Sequence, residues 1–292
     1  MDTMNIQECT AVSEKDLSTA VFDEQGALYT FRYQKLIKCP NIKGFVQIHP
    51  NTRYIANYAF SGCELNKILL PNSIKAIGHH AFHASSLEFI EIPDSVQIIG
   101  HDAFRWCENL QYVSLPSQLS ELQKSTFQKC KCLKSLYIPE SVLSIEGGCF
   151  SDCFNIDLRI ANRDFKVIDD CLYQISTKTL ISCWSLKKHL CLPQGLLRIE
   201  DNAFAACKHF DSIIIPNTTK YIGKIYLATM VYLKFTYLNQ LNLLILLLLT
   251  EMSKRYMFKS DKVLESRPCC HLRIMTLYMK VIGNNNCYSL FS

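Results

Sequence analysis

Apolar and polar positions along this chain recur every 22 or 23 residues between about Val21 and Gly223. Phenylalanines stand at Phe60, Phe82, Phe104, Phe127, Phe150 and Phe204, usually behind alanine, as in Ala59-Phe60, Ala81-Phe82 and Ala103-Phe104. Prolines keep step from Pro50 through Pro71, Pro93, Pro116 and Pro139. An aliphatic column runs through Ile55, Ile77, Ile99, Leu122, Ile145 and Ile199, and glycine follows it at Gly78 and Gly100. Within Leu87–Ile92, Ile90 and Ile92 alternate with Glu91, the mark of a short strand with one face on a core. Pro93 cannot donate to a ladder, so pairing should stop there. One such unit cannot close a core. Stacked at roughly 4.8 Å, strand on strand, the columns become continuous buried ladders. The pattern therefore predicts a solenoid.

The interval between Phe150 and Phe204 is 54 residues, more than two coils need. It contains Val167–Cys183, which aligns with Val21–Cys39 and shares its Leu-Tyr and Leu-Ile pairs. Both segments alternate apolar and polar residues around a polar turn, which predicts β-hairpin modules near 21–39 and 167–183. The expected organisation is a flexible N-terminal segment over 1–20, a solenoid over 21–223 and a separate tail over 224–292.

These phased columns resemble the BspA-like leucine-rich repeats, whose coils carry an Ala-Phe pair, an Ile-Pro strand end and an Ile-Gly pair. The likeness spans about 200 of the 292 residues. It implies a leucine-rich-repeat-like, right-handed stack of short parallel strands with inserted hairpins. It also implies adhesion-type binding of a protein or other macromolecule, without catalysis and without a cofactor.

Composition adds boundaries. With 49% hydrophobic and 20% charged residues the chain can bury a core. The formal charge is +5, but nine basic and three acidic residues from Lys224 onward put +6 in the tail and about −1 in the repeats. The solenoid thus has no charge pull toward nucleic acid. Met1 to Asp16 carries four acidic residues and no apolar run, so no cleavable secretory signal is read there. The cysteine count of 15 is odd, and spacings such as Cys107, Cys130 and Cys153 follow the repeat, which points to free thiols in a reducing compartment. Residues spread along a solenoid axis do not converge on one ion. This cysteine column is therefore expected to act as small buried hydrophobes.

Two sets of residues are candidate sites. The exposed strand positions form two columns, one through Leu69, Glu91, Ser114 and Tyr137, the other through Lys67, Phe89, Tyr112 and Ser135. Phe89, Glu91, Tyr112 and Tyr137 make the expected binding patch, because aromatics are enriched in interfaces. The second set is His79, His80, His101 and Asp102, which follow the Ile-Gly pairs of two consecutive coils. Imidazoles and a carboxylate brought together there could hold zinc or nickel, the basis of an alternative reading as a metal-dependent enzyme. No nucleophile or oxyanion arrangement accompanies them, and no phosphate-binding or dinucleotide fingerprint occurs.

In the tail, Ile225–Leu249 is long and apolar enough to cross a hydrocarbon core of about 30 Å, but contains Lys234, Asn239, Gln240 and Asn242. A central lysine costs ~2.5–3.5 kcal/mol on insertion. Lys254, Arg255 and Lys259 would place the C-terminus in the cytoplasm if it inserts. A rival reading is a degenerate last coil, with Leu227 aligned on Phe104 and Leu233 on Leu110. An unstructured tail is the third. Localisation stays open with them, either cytoplasmic or membrane-associated at the cell surface as an anchored adhesin.

Overall fold

In the computed structural model, which describes residues 5–205, 207, 210–224 and the backbone of 234–237, the chain winds as a β-solenoid of about eight turns. Each plain coil lays down two short parallel strands, one on each of two walls. The first wall holds Gly44–Gln47, Leu65–Leu69, Phe89–Glu91 and Tyr112–Ser114, and resumes in Ser135–Ile138 with Asp157–Ile160 and in His189–Cys191 with Ser212–Ile215. The second is built from residue pairs such as Tyr54–Ile55, Ala76–Ile77 and Ile98–Ile99. Register follows the sequence period: Ile55 pairs with Ile77, Ile77 with Ile99, and Ile90 with Val113. The repeat columns are therefore physical stacks.

The Ala-Phe segment closes the third side without a regular strand, yet its backbone is also laddered. Phe60 N–H donates to the Ala81 carbonyl at 2.7 Å, Phe82 to Ala103 at 2.8 Å and Phe104 to Thr126 at 2.9 Å. Two residues per coil take left-handed backbone there, one column through Tyr58, His80, Asp102 and Ser125, the other through Gly62, Ala84, Trp106 and Lys129. Between them the phenylalanines point inward and stack with nearly parallel rings. Centroids are 4.9 Å apart for Phe60–Phe82, 5.2 Å for Phe82–Phe104, 5.5 Å for Phe104–Phe127 and 6.0 Å for Phe127–Phe150. The wider gaps belong to the 23-residue coils, whose extra residue lies between the cysteine and the next leucine, as in Cys107-Glu108-Asn109-Leu110 against Cys63-Glu64-Leu65.

Glycine after the isoleucine has a steric cause. A Cβ on Gly100 would lie 2.6 Å from the His79 nitrogen and 2.8 Å from the Gly78 carbonyl carbon, so successive backbones approach too closely for a side chain. The cysteine column is buried as expected, but its thiols also donate. Cys107 Sγ lies 2.9 Å from the Phe82 oxygen, Cys130 Sγ 3.2 Å from that of Phe104 and Cys153 Sγ 2.9 Å from that of Phe127. Those carbonyls each accept one N–H already, so the thiol occupies the second lone pair.

The two inserted modules are three-stranded. The first comprises Val21–Phe22, Leu28–Tyr29 and Lys35–Lys38, the second Phe165–Ile168, Cys171–Gln174 and Thr179–Cys183, each an antiparallel meander. The last strand of each then enters the second wall in parallel, Leu36 on Ile55 and Leu180 on Ile199. The second module begins two residues before the expected boundary, at Phe165, and its last two strands are buried on both faces. Leu172, Ile181 and Trp184 join the core of the coils before it, whereas Tyr173, Leu180 and Cys183 join that of the coils after it. Trp184 meets Phe150 edge to face at 6.1 Å, continuing the aromatic ladder across the insertion.

The expectation of free thiols is corrected within this module. Cys171 and Cys183 form a disulfide. They are directly opposed on antiparallel strands, with Cα atoms 4.1 Å apart, a juxtaposition created by the meander and not by the coil period. The column cysteines Cys63, Cys107, Cys130, Cys153 and Cys207 are free.

The N-terminal segment, expected to be flexible, carries helices Ile6–Thr10 and Glu14–Ser18. Ser13 and Asp16 form a reciprocal capping box at the second. Thr10 is buried, its hydroxyl 2.9 Å from Asn57 Oδ1, and Lys35 pairs with Asp16 at 3.1 Å. The segment is thus tied to the first coils by polar contacts that its few apolar residues do not advertise. At the other end, Lys234–Tyr237 adds in parallel to Ser212–Ile215, with Phe235 on Ile213. That is how a coil adds, although it is one residue out of the alignment of Leu233 with Leu110, since Ile213 holds the buried place of Val113. The remainder of Ile225–Leu249, and everything beyond, lies outside the described residues. Among the described residues no helix is long and apolar enough to cross a membrane.

Candidate interaction face and histidine cluster

The first wall turns alternate side chains outward. Phe89 and Tyr112 occupy one column on adjacent strands, in register with each other and with Lys67. Glu91 pairs with Ser114 in the neighbouring column, and Tyr137 stands in that column one coil further, beside Arg159. The expected patch is therefore brought together, with Tyr137 set diagonally to Tyr112. Phe89 is 42% exposed, Tyr112 47% and Tyr137 61%.

Two further apolar residues extend it. Leu69 and Phe45 are each 51% exposed, and Phe45 pairs with Lys67 at the head of the aromatic column. Phe45 escapes a count from the prolines because Pro50 lies five residues past it, where Pro71, Pro93 and Pro116 lie four past Lys67, Phe89 and Tyr112. The result is a stripe of five large apolar side chains on five consecutive strands, set at the roughly 4.8 Å pitch of a sheet.

On the Ala-Phe side, stacking does bring the histidines of two coils together. The rings of His79 and His101 stack at 3.8 Å, and those of His80 and His101 meet at right angles at 5.1 Å. Asp102, largely buried, places Oδ2 at 3.0 Å from His101 Nδ1 and 3.9 Å from His80 Nε2, while Oδ1 faces Arg105 Nη1 at 3.2 Å. His79, grouped with them from the sequence, has another task. Its Nδ1 accepts the His101 N–H at 3.1 Å, as Asn57 Oδ1 accepts the His79 N–H at 2.9 Å one coil earlier. Burial, reinforced by the neighbouring imidazoles, pushes His79 down to about 4 and keeps it neutral. Burial also lowers His80, against the pull of Asp102. Among the described residues, His80, His101 and Asp102 form the one group of three donors placed to share an ion.

The described cysteines present no such group. Cys130 is buried whereas Cys132 is exposed, and burial raises Cys149 to about 12.

Coils of 22 to 23 residues with a strand wall, proline-ended strands and a phenylalanine-lined turn define a leucine-rich-repeat architecture. The chain belongs to the family described as BspA type leucine rich repeat region, whose model matches in six copies over residues 30–157 and 173–244. The break between the two matched stretches runs from the preceding wall strand into the second module. Among solved structures, the pneumococcal vaccine antigen PcpA is similar at 18% identity and a TM-score of 0.56, over 77% of this chain and 59% of that one. The chain thus spans little more than half of that antigen. A leucine-rich repeat protein from Eubacterium ventriosum is similar at 17% identity and a TM-score of 0.58, over 75% of this chain and 69% of that one. A leucine rich cell surface protein from Faecalibacterium prausnitzii follows at 20% and 0.51, over 74% and 73%. Curated protein sequences give no match.

Proposed function

We propose that this protein is a non-catalytic binding scaffold of the surface-adhesion type, which docks another protein on its first strand wall. The observation that carries the reading is the stripe of Phe45, Leu69, Phe89, Tyr112 and Tyr137, each 42–61% exposed on consecutive strands. A ladder-bonded wall is already ordered, so little conformational entropy is lost when a partner seats on it. Aromatic anchors ringed by Lys67, Glu91 and Ser114 match the apolar centre and polar rim of protein interfaces. The surface setting is supported by the similarity to a pneumococcal vaccine antigen and a bacterial cell surface protein.

The test is a pull-down with the full chain as bait beside a Phe89→Ala, Tyr112→Ala, Tyr137→Ala variant, followed by measurement of affinity for each recovered partner. Loss of three anchors should weaken binding by well over 30-fold, since one hot-spot residue is worth about 2 kcal/mol. Thermal stability should hardly move, because these side chains lie outside the core. An unchanged partner set with unchanged affinities would overturn the reading.

A further inference from the structure

The coil edge that follows the Ile-Gly pairs superposes like positions of neighbouring coils, and in one place it superposes metal-ligand chemistry. His80 and Asp102 are equivalent residues of consecutive coils, both in left-handed backbone at φ 53° and 55°. Each is pinned by a ladder bond, His80 N–H to the His101 carbonyl at 3.1 Å and Asp102 N–H to Lys124 at 2.9 Å. His101 precedes Asp102 and turns its ring back over the carboxylate. We propose that His80 Nε2, His101 Nδ1 and Asp102 Oδ2 form a three-ligand site for a divalent transition cation, with the remaining coordination left to water or to a donor from a bound partner.

The distances fit. Zinc holds nitrogen and carboxylate oxygen at about 2.0–2.2 Å in a tetrahedron, which sets neighbouring donors roughly 3.3 Å apart. Here the carboxylate oxygen lies 3.0 Å from one imidazole nitrogen and 3.9 Å from the other, and all three donors lie within 4.8 Å of one another. Side-chain rotations, without backbone movement, would gather them. The supporting contacts are also those that metal sites use. Arg105 takes the other carboxylate oxygen and fixes its direction. His79 stacks on the back of the His101 ring, with its own Nδ1 occupied by a backbone N–H. On binding, neutral His101 carries its proton on Nε2, so the lone pair of Nδ1 faces the ion. Two imidazoles and one carboxylate select zinc, nickel, cobalt or ferrous iron over magnesium and calcium, which prefer all-oxygen ligands.

The experiment uses the full chain freed of metal by a chelator and titrated with Zn(II) by calorimetry and with Co(II) by visible absorption. The expected result is one equivalent bound, unaffected by excess Mg(II), with cobalt bands that lack a thiolate charge-transfer component. His101→Ala and Asp102→Asn should each weaken binding by more than the 10–100-fold that loss of an outer-shell partner costs. His189→Ala, at an exposed histidine outside the cluster, should leave affinity unchanged. Should a ligand variant fail to fold, diethyl pyrocarbonate modification of the wild-type chain, mapped by mass spectrometry, decides: Zn(II) should protect His80 and His101 but not His189. No saturable binding, equal affinity in a folded His101→Ala variant, a thiolate band, or unprotected His80 and His101 at saturation would each overturn the proposal.

Discussion

A thiol in the cysteine column fills core volume and also supplies a hydrogen to the second lone pair of a carbonyl that already accepts one backbone N–H. Alanine would leave that lone pair unpaired and a void beside it, whereas valine would fill the void without donating. The cost of ionising such a thiol is correspondingly high: burial pushes Cys107 and Cys207 up to about 12. Alkylation at pH 8 should therefore label exposed Cys132 quickly and leave Cys107, Cys149 and Cys207 unmodified until the chain unfolds, as read by peptide mass spectrometry. Labelling of Cys107 at the rate of Cys132 in the folded protein would contradict this. At the N-terminus the sign of the electrostatics is reversed. Burial tends to raise Asp16, but the Ser13 N–H, the Lys35 ammonium and the Ser13 hydroxyl outweigh it and hold the carboxyl below its usual range. Its folded value lies under the unfolded value of about 3.9, so Asp16 contributes stability above that pH and loses it as pH falls through the folded value. Asp16→Asn should cost about 0.3–1 kcal/mol at pH 7, the range for a carboxylate in the first turn of a helix. The difference in thermal midpoint from wild type should close once both side chains are neutral, and a gap that persists in acid would show that charge is not its cause.

At the scale of elements, coil-to-coil contact does the work of a core. Phe104 stacks on Phe82 and on Phe127, so its removal opens a void shared by two interfaces. Phe104→Ala should cost about 3–5 kcal/mol by denaturant titration. Gly100→Ala, although it adds only a methyl, should cost about 1–3 kcal/mol because its Cβ meets backbone that cannot swing aside. If Gly100→Ala were neutral, the close approach would not be what keeps glycine there. The plain coils were legible in the sequence because each column answers to one physical need, whether ring stacking, strand alternation or backbone approach. The modules were legible as hairpins but not as three strands. Phe165–Ile168 has no period of its own and is defined by pairing with Cys171–Gln174. The N-terminal helices are too short for periodicity to register, and polar contacts dock them. As for the sites, stacking arithmetic placed Phe89 beside Tyr112 and His80 beside Asp102. It could not tell that the Nδ1 of His79 is committed to a backbone N–H, which depends on a ring orientation.

At the scale of the whole molecule, the second module divides the buried residues into one cluster from Ala27 to Trp184 and a smaller one from Cys171 to Ile222. In a quasi-linear stack, stability is a sum of units and neighbour interfaces, so the part with fewer coils should open first. Hydrogen exchange should show the amides of Ile213 and Ile222 losing protection at lower denaturant than those of Ile77 and Leu122. Equal protection at both ends would mean that the module transmits cooperativity undiminished. Because that module presents a finished apolar surface in each direction, it serves as a coupling between two independently sized arrays. Coils can be gained or lost on one side of such a joint without repacking the other, so the length of the array that carries the aromatic stripe and the length of the C-terminal array are free to vary separately.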